Sequence, residues 1–222
     1  MKTYPIFAII EDRPCLVVGG GAVGERKVQD LLVAGARVTV VSLSLTPALA
    51  ELAAAGQIRY LNEDFSPDQL QGMVLVLAAT DDPKVNARVS TAAQAQGIWV
   101  NVADDPEFCT FIVPAQVKRG DLTLAISTGG ASPALARKLR QELQQRFGPE
   151  YGPYLALLQG VRTRLLSERR GRPENAVLFH RLVDSPLLEA VARGDRARVV
   201  ADRKSTRLNS SHAELSRMPS SA

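Results

Sequence analysis

Short apolar runs alternate with amphipathic segments through the first half of the chain. The apolar runs are rich in β-branched residues and predict five strands: Cys15–Gly19, Arg37–Ser42, Ile58–Leu61, Met73–Ala79 and Ile98–Val100. Segments with helical spacing of apolar residues predict the intervening helices: Val23–Ala34, Thr46 to about Ala55, and Pro83–Gln96. This alternation predicts an α/β protein with a doubly wound, parallel sheet of the Rossmann type.

The pattern changes after Pro106. Two further strands are predicted at Thr110–Val113 and Asp121–Ser127, separated by a turn-like break at Lys118–Gly120. From Pro133 onward the spacing is helical, with breaks at Gly148–Pro149, Gly171–Pro173 and Ser185–Pro186. We therefore expect a Rossmann domain over residues 1–113, a small β-plus-helix element over 114–147 and a helical domain over 148–201.

The last stretch, residues 202–222, is rich in serine and has no apolar period. It resembles translated vector or adapter sequence, and we expect a non-native or disordered tail. The chain holds 27 Lys and Arg against 23 Asp and Glu. The tail accounts for 4 basic and 2 acidic residues, so the body has 23 against 21 and is nearly neutral. Nucleic acid is therefore not an expected partner.

Composition narrows the remaining classes. No apolar run approaches the length of a membrane span, so we expect no membrane partner and a cytoplasmic location. The cysteines, Cys15 and Cys109, are too few for a disulfide framework. They also lack His or Cys neighbours at ligand spacing, and the sequence predicts no protein-bound metal.

A glycine-rich turn follows the first predicted strand and opens the first predicted helix. Gly19, Gly21 and Gly24 match the GxGxxG pattern, with Ala22 and Val23 between the last two glycines. Gly19 permits the turn, Gly21 lets a pyrophosphate approach the backbone, and Gly24 allows close packing of helix on strand. The pattern predicts a dinucleotide site; the alternative is a glycine-rich turn in a sheet that has lost its cofactor.

Two hydroxyl residues lie where other parts of a dinucleotide would bind. The second strand ends at Ser42 instead of an acid, so the ribose contact is expected from Ser42 or the backbone, which leaves NAD and NADP open. Thr80 follows the fourth strand at the carboxyl edge of the sheet. Nearby Asp82 is expected to cap the helix that starts at Pro83. Arg26 and Lys27, on the first helix, could approach a phosphate or face solvent.

Two carboxylates follow the fifth strand at the same edge. Asp104 could accept a proton while a nicotinamide takes a hydride, and we expect it to be catalytic. Asp105 is expected to serve the turn before Pro106. Cys109 is interpreted as a small buried apolar residue and not as a nucleophile, because no His is near it in sequence.

A second glycine turn joins the last predicted strand to a basic helix. Ser127 and Thr128 precede Gly129 and Gly130, and Ser132 is expected to cap a helix starting at Pro133. Backbone N–H groups of the turn could converge beside the positive end of the helix dipole and bind an anion. The alternative is a tight turn without a ligand. The basic residues of the following helix are Arg137, Lys138 and Arg140.

Three stretches together resemble the siroheme-biosynthesis dehydrogenase/ferrochelatase family, the precorrin-2 dehydrogenase module. They are VVGGGAVGERKVQDLLVAGARVTVVS, NVADDPEFCTFIVPA and AISTGGASPALARKLR. The resemblance covers about residues 1–200. It implies NAD-dependent oxidation of precorrin-2 to sirohydrochlorin, then insertion of ferrous iron, which is a substrate and not a bound cofactor. It also implies a homodimer formed through the segment after Pro114.

The resemblance assigns roles to single residues. The family's catalytic aspartate falls on Asp104, and its serine before the Gly-Gly turn falls on the pair Ser127 and Thr128, so either hydroxyl could take that place. Precorrin-2 carries many carboxylates, which the turn and the basic helix would complement. The alternatives are a dehydrogenase without chelatase activity, a non-catalytic NAD(H)-sensing module, and the front part of a longer fused enzyme.

Overall fold

The first unit of the structure contains a five-stranded parallel sheet. The structure, a computed structural model, describes residues 2–168 and 174–195. The chain divides into two compact units, one over Thr3–Val113 and one that begins at Pro114. The strands of the first unit are β1 Pro14–Val18, β2 Arg37–Val41, β3 Arg59–Leu61, β4 Leu75–Ala78 and β5 Trp99–Val102. They lie in the order β3-β2-β1-β4-β5 and run parallel, which confirms the predicted Rossmann-type doubly wound sheet.

Three α-helices connect these strands. They are α1 Ala22–Val33, α2 Pro47–Ala54 and α3 Pro83–Ala95. Two of them start at residues whose side chains cap the helix: Thr46 accepts from the Leu49 N–H at 3.3 Å and Asp82 from the Lys84 N–H at 2.8 Å. Short 3₁₀ helices follow at Pro67–Leu70 and Pro106–Phe108.

Both faces of the sheet are buried. Along β1, Cys15 and Val17 pack into one apolar cluster, whereas Leu16 and Val18 pack into the other. A central parallel strand covered by helices on both sides must be apolar at every position, which explains the continuous run instead of an alternating one. Because β1, β4 and β5 are parallel neighbours, their carboxyl ends lie at the same edge of the sheet.

One predicted strand is wrong. Thr110–Val113 is not a strand, although it runs beside β5. The Thr110 N–H donates to the Val100 carbonyl oxygen at 2.8 Å, but the Val100 N–H is taken by the Thr110 side chain at 2.9 Å. Because a hydroxyl replaces a backbone carbonyl in this pairing, the ladder does not continue. In addition, β5 extends to Val102, beyond the predicted end at Val100.

The second unit opens with an antiparallel hairpin followed by helices. Strands β6 Ala115–Arg119 and β7 Leu122–Ile126 pair directly, with Arg119 opposite Leu122, so the turn is at Gly120 and Asp121, later than predicted. The helices are α4 Pro133–Arg146, α5 Tyr151–Glu168, α6 Glu174–Val183 and α7 Leu187–Ala192. The last three pack around a small apolar cluster that includes Tyr154, Leu182 and Leu187.

Arg119 connects the hairpin to the end of α4. Its Nε donates to the Phe147 carbonyl oxygen at 2.9 Å and its guanidinium to the Gln144 carbonyl oxygen at 3.1 Å. A cation at the carboxyl end of a helix satisfies carbonyls that have no partner within the helix and complements the helix dipole. These two bonds from the half-buried Arg119 side chain therefore help to orient α4 relative to β6.

Some predictions fall on residues outside the described ranges. These are the break at Gly171–Pro173 and the tail over 202–222. The further division of the second unit at residue 148 stays a prediction. Among the described helices, none is both long and apolar enough to cross a membrane.

Candidate functional site

The glycine turn between β1 and α1 is packed too closely for side chains at three positions, Gly19, Gly20 and Gly24. Gly19 has φ +119°, and a Cβ there would overlap the Ala79 carbonyl oxygen. A Cβ on Gly24 would overlap the Gly19 carbonyl oxygen, so α1 begins in direct contact with the end of β1. Gly21 differs, because a Cβ there would meet nothing within 4 Å. The space in front of Gly21 is thus open for a ligand.

The first turn of α1 carries backbone N–H groups without acceptors. Gly21 is the N-cap of this helix and provides no side-chain hydrogen bond, unlike the capping residues Thr46 and Asp82 of α2 and α3. Among the described residues, no acceptor lies within bonding distance of four consecutive N–H groups, those of Gly21, Ala22, Val23 and Gly24. Free N–H groups at a positive helix end suit a pyrophosphate, so these residues fit a dinucleotide.

Ser42 supports the glycine turn from inside the protein. Its Oγ accepts hydrogen bonds from the Gly20 N–H at 3.0 Å and the Ser44 N–H at 3.4 Å. The Tyr60 hydroxyl donates to the Ser42 carbonyl oxygen at 3.0 Å. Both lone pairs of the Ser42 Oγ are engaged, so its hydroxyl proton is the group that could bind a ribose. The ribose contact stays a prediction.

Thr80 is held by a residue that the sequence reading missed. The Thr80 N–H and Oγ1 reach the Asn86 Oδ1 at 3.2 and 2.8 Å, and the Asn86 Nδ2 donates to the Thr80 carbonyl oxygen at 2.9 Å. Asn86 is buried on α3, in a row with Val89 and Ser90. In the sequence, the signal for Asn86 is a polar residue on the apolar face of a predicted helix, because a buried polar group needs a hydrogen-bond partner.

Asp104 lies on a loop just beyond the end of β5. Its side chain is exposed and its backbone has φ +59°, in the left-handed region that few non-glycine residues adopt. Asp tolerates this region better than most residues, and such outliers often lie at functional sites. Cys109 is half-buried behind the loop and hydrogen-bonded to it. Asp105 precedes the 3₁₀ helix at Pro106, as expected of a turn residue.

Lys27 is a half-buried cation on α1. It shares the inward stripe of α1 with the buried residues Gly24, Val28 and Leu31. Burial lowers the pKa of Lys27, as does the Arg26 guanidinium, while the carboxylates of Asp30 and Asp104 act in the opposite direction. Lys27 therefore does not simply face solvent, which was one of the two expectations.

The second glycine turn bonds mostly to itself. The Thr128 hydroxyl donates to the Ser132 carbonyl oxygen and accepts from the Ser132 N–H, both at 3.2 Å. The Gly129 N–H donates to the Ser127 Oγ at 3.1 Å, and the Ser132 Oγ caps α4 through the Leu135 N–H at 3.2 Å. Internal bonds thus take four of these N–H groups, those of Gly129, Ala131, Ser132 and Leu135, and reduce the expected convergence on one point.

Several donors of this turn stay free. In the described part of the chain, no acceptor is bonded to the N–H groups of Ser127, Thr128, Gly130 and Ala134. The Ser127 side chain is exposed and its hydroxyl proton makes no bond within the described residues. Ser127 is therefore the hydroxyl of the pair that is available to a ligand, whereas Thr128 serves the turn.

The basic residues of α4 differ in their surroundings. Arg137 and Lys138 are exposed, and Arg140 is half-buried. The Lys138 ammonium lies 3.9 Å from the Glu142 carboxylate, one helical turn away. Over residues 2–168 and 174–195, no group of three or more His, Cys, Asp or Glu side chains could hold a metal ion.

Comparison with known families matches two consecutive parts of the chain. Residues 6–115 match a family model of NAD(P)-binding domains, and residues 119–146 match a model described as the central part of a sirohaem biosynthesis protein. The first match covers the glycine turn, Ser42, Thr80 and Asp104. The second covers the turn at Gly129 and the basic helix α4.

Two curated relatives and one solved structure extend these matches. The chain is 55% identical over 152 residues to a siroheme synthase of Methylobacillus flagellatus, and 44% identical over 198 residues to siroheme synthase 1 of Aeromonas salmonicida. These alignments cover 68% and 89% of this chain but 32% and 42% of the relatives, so the chain spans well under half of either relative.

The solved structure resembles the chain over most of its length. It is titled "SirC, precorrin-2 dehydrogenase", with a TM-score of 0.73 and 27% sequence identity, and the match covers 91% of this chain and 100% of that one. The matching models are consecutive, the relatives are siroheme synthases, and the fold agrees over both units. The chain therefore belongs to the family of siroheme synthase N-terminal modules.

Proposed function

We propose that the protein oxidises precorrin-2 to sirohydrochlorin with NAD and then inserts ferrous iron to form siroheme. The observation that carries this proposal is the match, over 91% of this chain, to a structure titled precorrin-2 dehydrogenase. The open N-terminus of α1 and the exposed Asp104 at the same edge of the sheet supply the two kinds of group that the oxidation requires. The siroheme synthase names of the relatives support the second step.

Asp104 is the proposed base of the oxidation. Precorrin-2 loses two electrons and a proton as hydride, and a second proton as H⁺, to give sirohydrochlorin. NAD⁺, when bound, supplies the hydride acceptor. The exposed Asp104 carboxylate accepts the second proton.

NAD is proposed to bind along the edge of the sheet that starts at α1. The free N–H groups of residues 21–24 would hold the pyrophosphate, and the Ser42 hydroxyl would donate to the ribose. Thr80, fixed by Asn86, would lie along the path toward the nicotinamide. This chain lacks an acid at the ribose position, so the contact depends on a donor instead of an acceptor.

The turn at Gly129 is the proposed recognition element for the tetrapyrrole carboxylates. Ser127 would donate its hydroxyl proton, and the N–H groups of Gly130 and Ala134 would add two further donors. Arg137, Lys138 and Arg140 would contribute positive charge along α4. Because the turn consumes several of its own N–H groups, the side chains carry more of this recognition than expected.

Iron insertion needs no metal site built from side chains. The four nitrogens of the macrocycle bind Fe²⁺, and two pyrrole protons leave as the metal enters. Asp104 is proposed to accept protons in this step too. The chain would thus supply position and a base, while the substrate supplies the ligands.

A two-step assay tests the proposal. Purified protein is incubated anaerobically with precorrin-2 and NAD, and NADH is followed by fluorescence while the chromophore is followed by absorbance. We expect stoichiometric NADH and sirohydrochlorin, then the siroheme spectrum after Fe²⁺ is added, faster than with buffer alone. Oxidation without accelerated metallation would establish a dehydrogenase only. NAD binding without either reaction would favour a non-catalytic NAD(H)-sensing module.

A homodimer formed through the second unit is part of the same proposal. It rests on the family resemblance after Pro114 and on the open edges of the β6–β7 hairpin. Light scattering on the purified chain would give the mass directly, and a monomer would remove this part. The cytoplasmic location stays a prediction from the sequence.

A further inference from the structure

The loop that carries Asp104 is closed at its base by backbone hydrogen bonds. We call residues 103–108 the Asp104 loop. Where it leaves β5, the Ala103 N–H donates to the Ala78 carbonyl oxygen at 2.9 Å. Where it returns, the Thr110 N–H donates to the Val100 carbonyl oxygen at 2.8 Å. The six-residue loop therefore starts and ends at the same place on the sheet.

The thiol of Cys109 lies inside this base and contacts the backbone on both sides of Asp104. Its Sγ accepts from the Val102 N–H at 3.2 Å and from the Asn101 Nδ2 at 3.4 Å. The Cys109 Sγ lies 3.2 Å from the Asp105 carbonyl oxygen and 3.4 Å from the Val102 carbonyl oxygen, and either oxygen can accept a hydrogen bond from the S–H group. The contacted residues lie two positions before Asp104 and one after it.

The backbone of Asp104 requires such support. At φ +59° this residue occupies a sparsely populated region, which persists only when its surroundings hold it there. Its own side chain is exposed, and no hydrogen bond of its carboxylate is found among the described residues. The backbone therefore sets the direction in which the side chain leaves the Cα atom, and no hydrogen bond of the carboxylate among the described residues adds to that constraint. Ser90, buried on α3, adds a bond to the Phe108 carbonyl oxygen at 2.7 Å, at the far end of the loop.

The charge state of the thiol agrees with a structural role. Burial raises the pKa of Cys109, and the Asp105 carboxylate acts in the same direction, while the Val102 N–H and Lys27 act against it. A raised pKa keeps the thiol protonated at neutral pH, so it retains the S–H group that donates to a carbonyl. A nucleophilic role would need the opposite shift.

We propose that Cys109 is a positioning residue that orients Asp104, by clamping the backbone on both sides of it. This inference rests on the proposed function, in which Asp104 is the catalytic base. The clamp itself is a property of the fold and can be measured without any reaction.

Three single variants of the full chain test the role in catalysis. Cys109→Ala removes the donor and the acceptor, Cys109→Ser retains both, and Cys15→Ala is the matched control, because Cys15 is fully buried on β1 away from the loop. With precorrin-2 and NAD, we expect Cys109→Ala to lower kcat roughly ten- to hundredfold at unchanged KM for NAD. Cys109→Ser should recover part of this loss. Cys15→Ala should lower Tm with kcat unchanged.

A double variant separates positioning from a general loss of structure. If Cys109 acts through Asp104, Cys109→Ala should cause no further loss of kcat in an Asp104→Asn background. A full additional loss in that background would overturn the proposal, as would a wild-type kcat for Cys109→Ala. A fall in kcat matched by an equal fall for Cys15→Ala would also overturn it.

Amide hydrogen exchange distinguishes failure of this inference from failure of the proposed function. We expect faster exchange at Val102 and at the Asp104 loop in Cys109→Ala, and wild-type exchange there in Cys15→Ala. If the wild-type protein does not oxidise precorrin-2, the proposed function fails and the exchange measurement alone decides on the clamp. Unchanged exchange in Cys109→Ala would overturn the clamp in either case.

Discussion

Replacement of Gly21 by alanine should weaken NAD binding without weakening the fold. Gly21 has φ −80° and ψ −175°, which alanine adopts without strain. A Cβ at this position would meet no atom of the protein within 4 Å. Such a substitution reduces the entropy of the unfolded chain, so the free energy of unfolding should stay the same or rise by about 0.4–1 kcal/mol.

The substitution should instead weaken the binding of NAD. The added methyl group would project into the open space where the pyrophosphate is proposed to approach the free N–H groups of residues 21–24. Loss of one hydrogen bond to a charged group corresponds to about 1.5–3 kcal/mol. The Kd for NAD should therefore rise about 10- to 150-fold.

Gly20 provides the matched control next to it. A Cβ on Gly20 would overlap the Ser44 carbonyl oxygen, so Gly20→Ala should lower the free energy of unfolding by about 1–3 kcal/mol. Isothermal titration with NAD gives the Kd and a thermal melt gives Tm for each variant. If Gly21→Ala folds normally and binds NAD with the wild-type Kd, the pyrophosphate is not bound at this helix end.

Three further predictions concern hydroxyl and basic residues. Ser42→Ala leaves a buried backbone N–H without its acceptor, so the free energy of unfolding should fall by about 1–3 kcal/mol and NAD should bind more weakly; a wild-type melt would contradict this. Ser127→Ala should raise the KM for precorrin-2 with little change in Tm, because the one turn bond it loses, from the Gly129 N–H, is exposed to solvent. Thr128→Ala should lower Tm more, because it removes two part-buried bonds of the turn; the reverse result would exchange their roles. Arg137→Ala should raise the KM for precorrin-2 roughly two- to fivefold and leave the Kd for NAD unchanged. Lys138→Ala should raise the KM less, because the Lys138 ammonium already lies beside the Glu142 carboxylate. An equal loss of NAD binding in Arg137→Ala would show that Arg137 serves the cofactor.

Most of the Rossmann unit could be predicted from local pattern. A continuous apolar run such as β1, followed by GxGxxG and an amphipathic helix, identifies a strand-turn-helix unit without knowledge of its neighbours. Caps at Thr46, Asp82 and Ser132 were equally visible, because a side-chain oxygen before Pro specifies a helix start over three or four residues. These features depend on contacts close in sequence.

The wrong strand at Thr110–Val113 has the opposite origin. Its residues have strand propensity, but whether they form a ladder depends on which atoms of β5 they meet. The Thr110 hydroxyl takes the Val100 N–H that a backbone carbonyl would accept in a strand. No local sequence pattern predicts whether the Val100 N–H will donate to a side-chain hydroxyl or to a backbone carbonyl.

The sequence by itself determined the fold class, the dinucleotide fingerprint and the position of Asp104, because each follows from periodicity or from spacing within a few residues. Only the tertiary structure decided how the polar groups are used. It placed Asn86 against Thr80, Cys109 behind Asp104 and Lys27 on an inward face. Hydrogen-bond partners and desolvation depend on groups brought together from distant parts of the chain, and the distances between those groups exist only in the folded molecule.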